Sequence, residues 1–374
     1  MTEELDLLSA TCQQFFVKEC APHYERWEKQ GCVDREIWTK AGEAGLLCAA
    51  VPEAYGGAEG TFAHEAIIAF EANRAGISGF GISLHNAIVA PYILNYGSEE
   101  QKRAWLPRMA TGEYIGAIAM TEPGAGSDLQ GVRTSARRDG NGYVLSGQKT
   151  FITNGQLANL IVVVAKTDPS LGAKGISLFV VDTDGLQGFR RGRNLDKIGL
   201  KANDTSELFF DDVKIPASSL LGSEEGQGFY MLMDQLPQER LLIAIHAAAR
   251  IESALEVTID YVKDRSAFGK PIIEFQNTEF ELAECKTEAT IGRVFVDHCI
   301  GRHINKTLDT VTASMAKYWL TDLQCQIIDR CLQLHGGYGY MNEFPIARMF
   351  RDARVERIYG GTNEIMKMLI ARSL

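Results

Sequence analysis

The stretch GYVLSGQKTFITNG, residues 142–155, decides how this chain is organised. It is rich in residues that suit a pleated strand and it closes on Asn-Gly. Three more runs of the same kind follow: LIVVVAK (160–166), GISLFVVD (175–182) and SELFFDDVKIP (206–216). Gly, Asn and Asp clusters separate them, which predicts an antiparallel sheet or barrel. Within the first run, Gly142 to Thr150 comes near the phosphate-loop pattern. A glutamine stands between Gly147 and Lys149, however, and the segment reads as a turn in strand-like surroundings.

On both sides of this block the apolar period is helical. Leu5, Leu8, Cys12 and Phe15 fall on one face, and Ser98-Glu-Glu-Gln101 is a capping box that opens a further helix. Beyond about residue 226 two long faces appear. One carries Leu242, Ile245, Ala248, Leu255, Ile259 and Val262, the other Ala316, Leu320, Leu323, Ile327, Cys331 and Leu334. The expected fold class is α+β: an N-terminal helical domain (1–115), a central β domain (116–222) and a C-terminal helical bundle (223–374).

Composition narrows the function. The 374 residues are 45% apolar with a net charge of −10, and no Lys/Arg run is dense enough to track phosphates, so nucleic-acid binding has no support. Eight cysteines show neither CxxC spacing nor the density of a disulfide scaffold, which points to reduced structural thiols. The seven histidines form no HxxxH pair, so no metal site is expected. The longest apolar run, Leu160–Ala165, is far short of the roughly 20 residues a bilayer needs. The N-terminus, MTEELDLLSATCQQ, is acidic and has no signal or transit pattern. A cytoplasmic protein is expected, or a mitochondrial-matrix one if a leader has been removed.

No GxGxxG opens a helix after a strand, so a nicotinamide site of the Rossmann type has no support. Other stretches are more suggestive. AMTEPGAGSD (119–128) is either a long turn or a loop whose N–H groups and hydroxyls meet a flat or anionic ligand. Phe151 and Thr153, one strand later, offer an aromatic and a hydroxyl to a ring system. Arg265, in RSAFGKP, is either a cation at a helix C-terminus or a phosphate ligand. QLHGGYGY (333–340) ends a helix at Gly336 and places a further glycine at 337, where a backbone can approach a ligand closely. RDARVERIYGGTNEIM (351–366) carries a second glycine pair amid charged residues.

The stretches 119–131, 265–276 and 333–366 resemble the acyl-CoA dehydrogenases, and the helical–β–helical order is similar to that family from end to end. LPQERLLIA (236–244) and IYGGTNEIM (358–366) look most like its long-chain branch. The resemblance implies FAD as cofactor, with Met120, Thr121, Phe151 and Thr153 at the flavin ring and Ser127 serving the pyrophosphate and the CoA chain. It implies that Arg265, Phe268, Gln276, Gln333 and Gly337 reach the FAD of a partner subunit, and that Thr362 and Glu364 meet the adenosine and pyrophosphate end of the cofactor. A homotetramer built as a dimer of dimers follows. The implied reaction turns a saturated acyl-CoA into trans-2-enoyl-CoA in fatty-acid β-oxidation or related acyl degradation, and electron-transferring flavoprotein is the implied acceptor. An acyl-CoA oxidase using oxygen and a non-catalytic flavin-binding relative are the alternatives.

The α C–H of a thioester is a poor acid in water, so a carboxylate must be held against it while the enolate oxygen is stabilised. Many members carry that carboxylate in a Tyr-Glu-Gly-Thr sequence. Here the sequence is Tyr359-Gly360-Gly361-Thr362, with no carboxylate. The resemblance leaves Gly360 as a backbone N–H for the thioester carbonyl, with Tyr359 beside the substrate. It moves the base to Glu239, the position used by long-chain and isovaleryl-type members, with Arg240 next to it and near the substrate. Pro237 is expected to start or interrupt a helix. Glu239 would then lie in a first turn, favoured by the dipole, with Leu241, Leu242 and Ile243 excluding water and raising its pKa.

Overall fold

A computed structural model describes residues 2–374. The first third is helical: α1 (Glu3–Phe15), α2 (Tyr24–Gln30), α3 (Glu36–Glu43), α4 (Phe62–Arg74), α5 (Ile82–Leu84), α6 (Ala90–Tyr96) and α7 (Glu99–Ala110). Its boundaries follow local chemistry. Ser98 and Gln101 form the reciprocal box at the start of α7, with the Ser98 N–H donating to Gln101 Oε1 at 2.9 Å. Cys12 and Phe15 of α1 are buried.

Seven strands then form one sheet: β1 (Gly116–Ala119), β2 (Ser135–Asp139), β3 (Gly142–Thr153), β4 (Leu160–Lys166), β5 (Ile176–Asp182), β6 (Phe189–Asn194) and β7 (Thr205–Pro216). The order is β1-β4-β2-β3-β7-β6, with β5 also paired to β4. Most pairings are antiparallel. The sheet is nonetheless mixed, because β4 runs parallel to β1 over four residues and meets β2 in parallel at one pair. The cause lies in the LIVVVAK run, which is apolar at every position but its last. Ile161, Val163 and Ala165 face a core shared with α1 to α3, while Leu160, Val162 and Val164 face one shared with α6, α7 and the start of the next helix. A strand buried on both faces suits a covered, mixed sheet better than a half-solvated meander.

The 142–150 segment is strand, not the turn that its spacing suggested. Its irregularity is a bulge between Leu145 and Gly147. Gly147 has φ +151°, and a Cβ there would lie 2.5 Å from Thr134 Oγ1, so the glycine serves strand packing.

The C-terminal part has three long helices, α8 (Gly228–Asp264), α9 (Gln276–Ile304) and α10 (Thr310–Leu334), with shorter α11 (Pro345–Ala353) and α12 (Asn363–Ala371) against α10. A two-stranded hairpin, β8 (Ser266–Ala267) and β9 (Lys270–Pro271), joins α8 to α9. The two apolar faces read from the sequence meet in one core. α10 ends at Leu334 and Gly336 follows at φ +57°, a left-handed glycine just past a helix end. Among the described residues no helix is long and apolar enough to cross a membrane, and no His, Cys, Asp and Glu cluster could hold a metal. All eight cysteines are unpaired.

One buried ion pair ties the 119–131 loop to the sheet. Lys149 Nζ donates to Glu122 Oε1 at 2.8 Å and to the Met120 carbonyl at 3.1 Å, and Glu122 also accepts from the Arg133 and Thr134 N–H groups. Both side chains are shut away from solvent. Removing one partner of such a pair leaves a buried charge uncompensated. Lys149→Met is therefore expected to cost about 3–5 kcal/mol in chemical unfolding, and the double variant with Glu122→Gln to recover most of that loss.

Candidate active site

α8 runs unbroken through Pro237 for 37 residues. Glu239 is therefore not in a first turn, as its distance from Pro237 suggested, but well inside the helix. The helix dipole gives it no help, and its chemistry comes from burial instead. Glu239 is buried, and its Oε1 accepts a 2.9 Å hydrogen bond from the hydroxyl of Tyr92 on α6, itself fully enclosed. No partner for Oε2 exists among the described residues. Desolvation pushes the Glu239 pKa up to about 7, opposed by the Tyr92 bond and the Arg240 charge. A carboxyl poised near neutrality is suited to accepting a proton.

The neighbours of Glu239 hold it from several sides. The five-residue π segment His85–Val89 leads into α6, and Gln238 Nε2 donates to the Ala87 carbonyl in that segment at 2.7 Å. One turn along α6 from Tyr92, Tyr96 donates to Asp234 and accepts from Gln235 Nε2 at 3.0 Å. Arg240 is buried and turns toward α10, with Nη1 3.4 Å from Ser314 Oγ. Its Nε has no partner.

The glycine pair rests on the same helix. Gly360 has φ +64°, and a Cβ built there would lie 2.3 Å from Cδ1 of Ile243. Ile243 is four residues beyond Glu239, hence one turn along the same face. The turn around residue 360 thus lies directly over the stretch of α8 that carries the buried carboxyl. The Gly360 N–H has no acceptor in the chain among the described residues. Tyr359 donates to Glu356 Oε1 at 3.2 Å, and Glu356 is paired with Arg250 at 3.0 Å.

The residues suggested for a cofactor fall into three places. Met120, Thr121 and Ser127 lie on the loop after β1, which is joined to β3 by the bond from the Thr150 N–H to the Thr121 carbonyl (2.9 Å). Phe151 stands on a second bulge of β3 at φ +59° and is 67% exposed, two residues before Thr153 at the strand's end. Arg265, Gln333 and Gly337 line a concavity of about 560 Å³ with Tyr261 and Tyr338, but Phe268 and Gln276 are not part of its wall. Phe268 is 97% exposed at the β8–β9 tip, and Gln276 opens α9. Thr362 caps α12 by accepting from the Ile365 N–H, and Glu364 lies exposed in that helix's first turn. Glu239 and Arg265 are 26 residues apart on or just past one helix, about 39 Å at the usual rise.

Models of the acyl-CoA dehydrogenase N-terminal, middle and C-terminal domains match residues 2–113, 117–213 and 226–374. The chain belongs to the acyl-CoA dehydrogenase family. A pig protein named long-chain specific acyl-CoA dehydrogenase, mitochondrial, is 53% identical over 375 residues, which span 100% of this chain and 87% of that protein. A solved acyl-CoA dehydrogenase from Geobacillus kaustophilus superposes with a TM-score of 0.97 at 52% identity, covering 100% and 98% of the two chains. A glutaryl-CoA dehydrogenase from Mycobacterium smegmatis, solved in complex with FADH2, gives 0.93 at 32% identity over 100% and 95%.

Sequence reading of this family member missed Tyr92, which sits in a helix with no motif around it. It also missed Lys317, a lysine set between the apolar positions Ala316 and Leu320, whose only signal is that interruption.

Burial of Glu239 has a stability consequence whose sign is fixed. Its folded pKa lies above the ordinary 4.5, so the native state holds the proton more tightly than the unfolded chain. Stability is then unaffected below the unfolded pKa and falls as pH rises toward 7. Glu239→Gln removes this penalty. Its melting temperature should exceed that of the unaltered protein at about pH 8, by the equivalent of about 3 kcal/mol, and match it near pH 4.5.

Proposed function

We propose that this chain is an FAD-dependent acyl-CoA dehydrogenase in which Glu239 removes the α-proton of a saturated acyl-CoA thioester. The observation that carries the reading is the juxtaposition on α8. A buried carboxyl held by Tyr92 lies one turn from Ile243, and the side-chain-free turn at Gly360 is seated on that same isoleucine.

The residues fit a flavin. Phe151 is presented outward beside the Thr121 loop, Gly124 and Gly126 leave open space where a Cβ would stand, and Arg265 faces a concavity large enough for part of a nucleotide. Met120, Thr121, Phe151 and Thr153 would hold the ring and Ser127 the pyrophosphate and the CoA chain. Bound FAD would supply the acceptor for the β-hydride.

The chain's own residues do the rest. Tyr92 fixes one oxygen of Glu239 and leaves the other for the α C–H. The Gly360 N–H donates to the thioester oxygen as negative charge develops there, with Tyr359 alongside. Arg240 supplies positive charge near the carboxylate from the α10 side. Transfer of the α-proton to Glu239 leaves the Cα–H electron pair to form the Cα–Cβ double bond, and with a bound FAD as hydride acceptor the product would be trans-2-enoyl-CoA.

Arg265 lies too far along α8 to serve a flavin beside Glu239 of its own chain. With Phe268, Gln276, Gln333 and Gly337 it is assigned to the FAD of a partner in a homotetramer, while Thr362 and Glu364 are assigned to the adenosine and pyrophosphate end of the cofactor. Electron-transferring flavoprotein is the proposed acceptor and long-chain acyl-CoA the proposed substrate class, in keeping with the pig relative's name. Eight unpaired cysteines suit a reducing compartment such as the cytoplasm or mitochondrial matrix.

Glu239→Gln should retain FAD and bind acyl-CoA, while flavin bleaching in stopped flow slows by about 10³-fold; bleaching at the native rate would reject the assignment. Restoring a carboxylate by Gly360→Glu in that variant is expected to recover more turnover with Ile243→Ala than without it, since a Cβ at residue 360 would sit 2.3 Å from the isoleucine's Cδ1.

A further inference from the structure

Ser314, Lys317, Thr321 and Gln324 recur along α10 at helical spacing, and all four are completely shielded from solvent. A polar group in the middle of a helical bundle is costly unless it is partnered; Gln324 has no hydrogen-bond partner among the described residues, whereas Lys317 has two. Its Nζ donates to the Gly361 carbonyl at 2.7 Å and to Asn363 Oδ1 at 2.9 Å. Asn363, also buried, returns through its amide to Thr321 Oγ1 and Asp322 Oδ1, both at 3.0 Å, and to the Tyr318 carbonyl at 3.2 Å. Ser314, one turn before Lys317, meets Arg240. One face of α10 therefore grips both the residue next to Glu239 and the exit of the double-glycine turn.

That turn needs gripping. Gly360 and Gly361 both have positive φ, +64° and +91°, and glycine is the residue least able to hold a conformation unaided. On the incoming side Tyr359 is tied to Glu356. On the outgoing side the Lys317 ammonium is the only side-chain donor to the turn's backbone among the described residues. Burial lowers the pKa of this lysine to about 8, with Glu356 the largest opposing influence and Arg240 reinforcing the shift.

We propose that Lys317 is a positioning residue for the dehydrogenation. By holding the Gly361 carbonyl and Asn363 from inside the bundle, it fixes the glycine turn so that the Gly360 N–H stays aimed at the thioester oxygen. The inference rests on the function proposed above. A donor displaced by about 1 Å from its acceptor costs on the order of 100-fold in rate, and this cost appears in turnover more than in binding.

The test uses the FAD-loaded enzyme. Lys317→Met, Lys317→Gln and Thr321→Val are compared for melting temperature, flavin content, acyl-CoA Kd and kcat per bound flavin. Thr321→Val removes a bond to Asn363 while leaving the lysine's grip, so it calibrates a purely structural loss. The expected result for Lys317→Met is a kcat per flavin down about 100-fold with Kd changed less than about threefold. Lys317→Gln, which keeps a neutral donor on a shorter side chain, should fall between that variant and about one-third of the unaltered rate, and Thr321→Val should lose stability but not kcat. If Lys317→Met does not take up flavin, Lys317→Gln alone decides. A kcat per flavin within about threefold of the unaltered enzyme in a flavin-loaded lysine variant overturns the proposal. That outcome is distinct from failure of the functional reading, in which the unaltered enzyme itself would not oxidise acyl-CoA.

Discussion

The contact between Gly360 and Ile243 is the constraint from which the site follows. The C-terminal turn lies so close to α8 that a Cβ at residue 360 would sit 2.3 Å from Cδ1 of Ile243, so a side chain there would require the isoleucine to move. With that position filled by backbone, the turn can offer an N–H but no carboxyl. The proposed acid–base group lies on the helix beneath it. Glu239 lies one turn away, in a space dry enough to raise its pKa to about 7. The seating of the turn on the helix sets the geometry, and burial of Glu239 sets its ionisation.

The rest of the fold keeps that seating rigid. α8 is packed against α10, α9 and α4 in one core, and its first turns share another with β4, β5, α6 and α7. Tyr92 and Tyr96 reach α8 from α6, while Lys317 and Ser314 reach the site from α10. These contacts tie two elements, α6 and α10, to α8 and to the glycine turn. The loop proposed to meet the flavin is fixed independently by the Lys149–Glu122 pair. A preorganised site of this kind spends little reorganisation energy during reaction.

Much of this was legible in the sequence because it depends on local pattern. Apolar periods marked α1, α8 and α10, the Ser98–Gln101 box marked the start of α7, and the β-rich runs marked the strands. The glycine pair at 360–361, which lies close against Ile243 and Met366, stood out from its surroundings. What was misread depends on tertiary context. Gly147 resembles a turn residue, yet packing against Thr134 makes it a bulge within a strand. Pro237 resembles a helix start, but α8 is anchored on so many sides that it absorbs the missing N–H. The parallel pairing of β1 with β4 joins residues more than forty apart in the chain, and no local pattern encodes it. Tyr92 and Lys317 have the same character: each is an ordinary residue of its helix until another element comes within hydrogen-bond distance.

The central claim is that a buried carboxyl with a pKa near 7 takes the α-proton. It is tested most directly by stopped-flow reduction of the bound flavin across pH, using acyl-CoA carrying hydrogen or deuterium at C2. At limiting substrate the rate constant reports ionisation of the free enzyme. The predicted result is a rate that climbs as pH rises through about 7 and then levels, with a primary deuterium isotope effect. A rate independent of pH through that range, or one indifferent to deuterium at C2, would contradict the account.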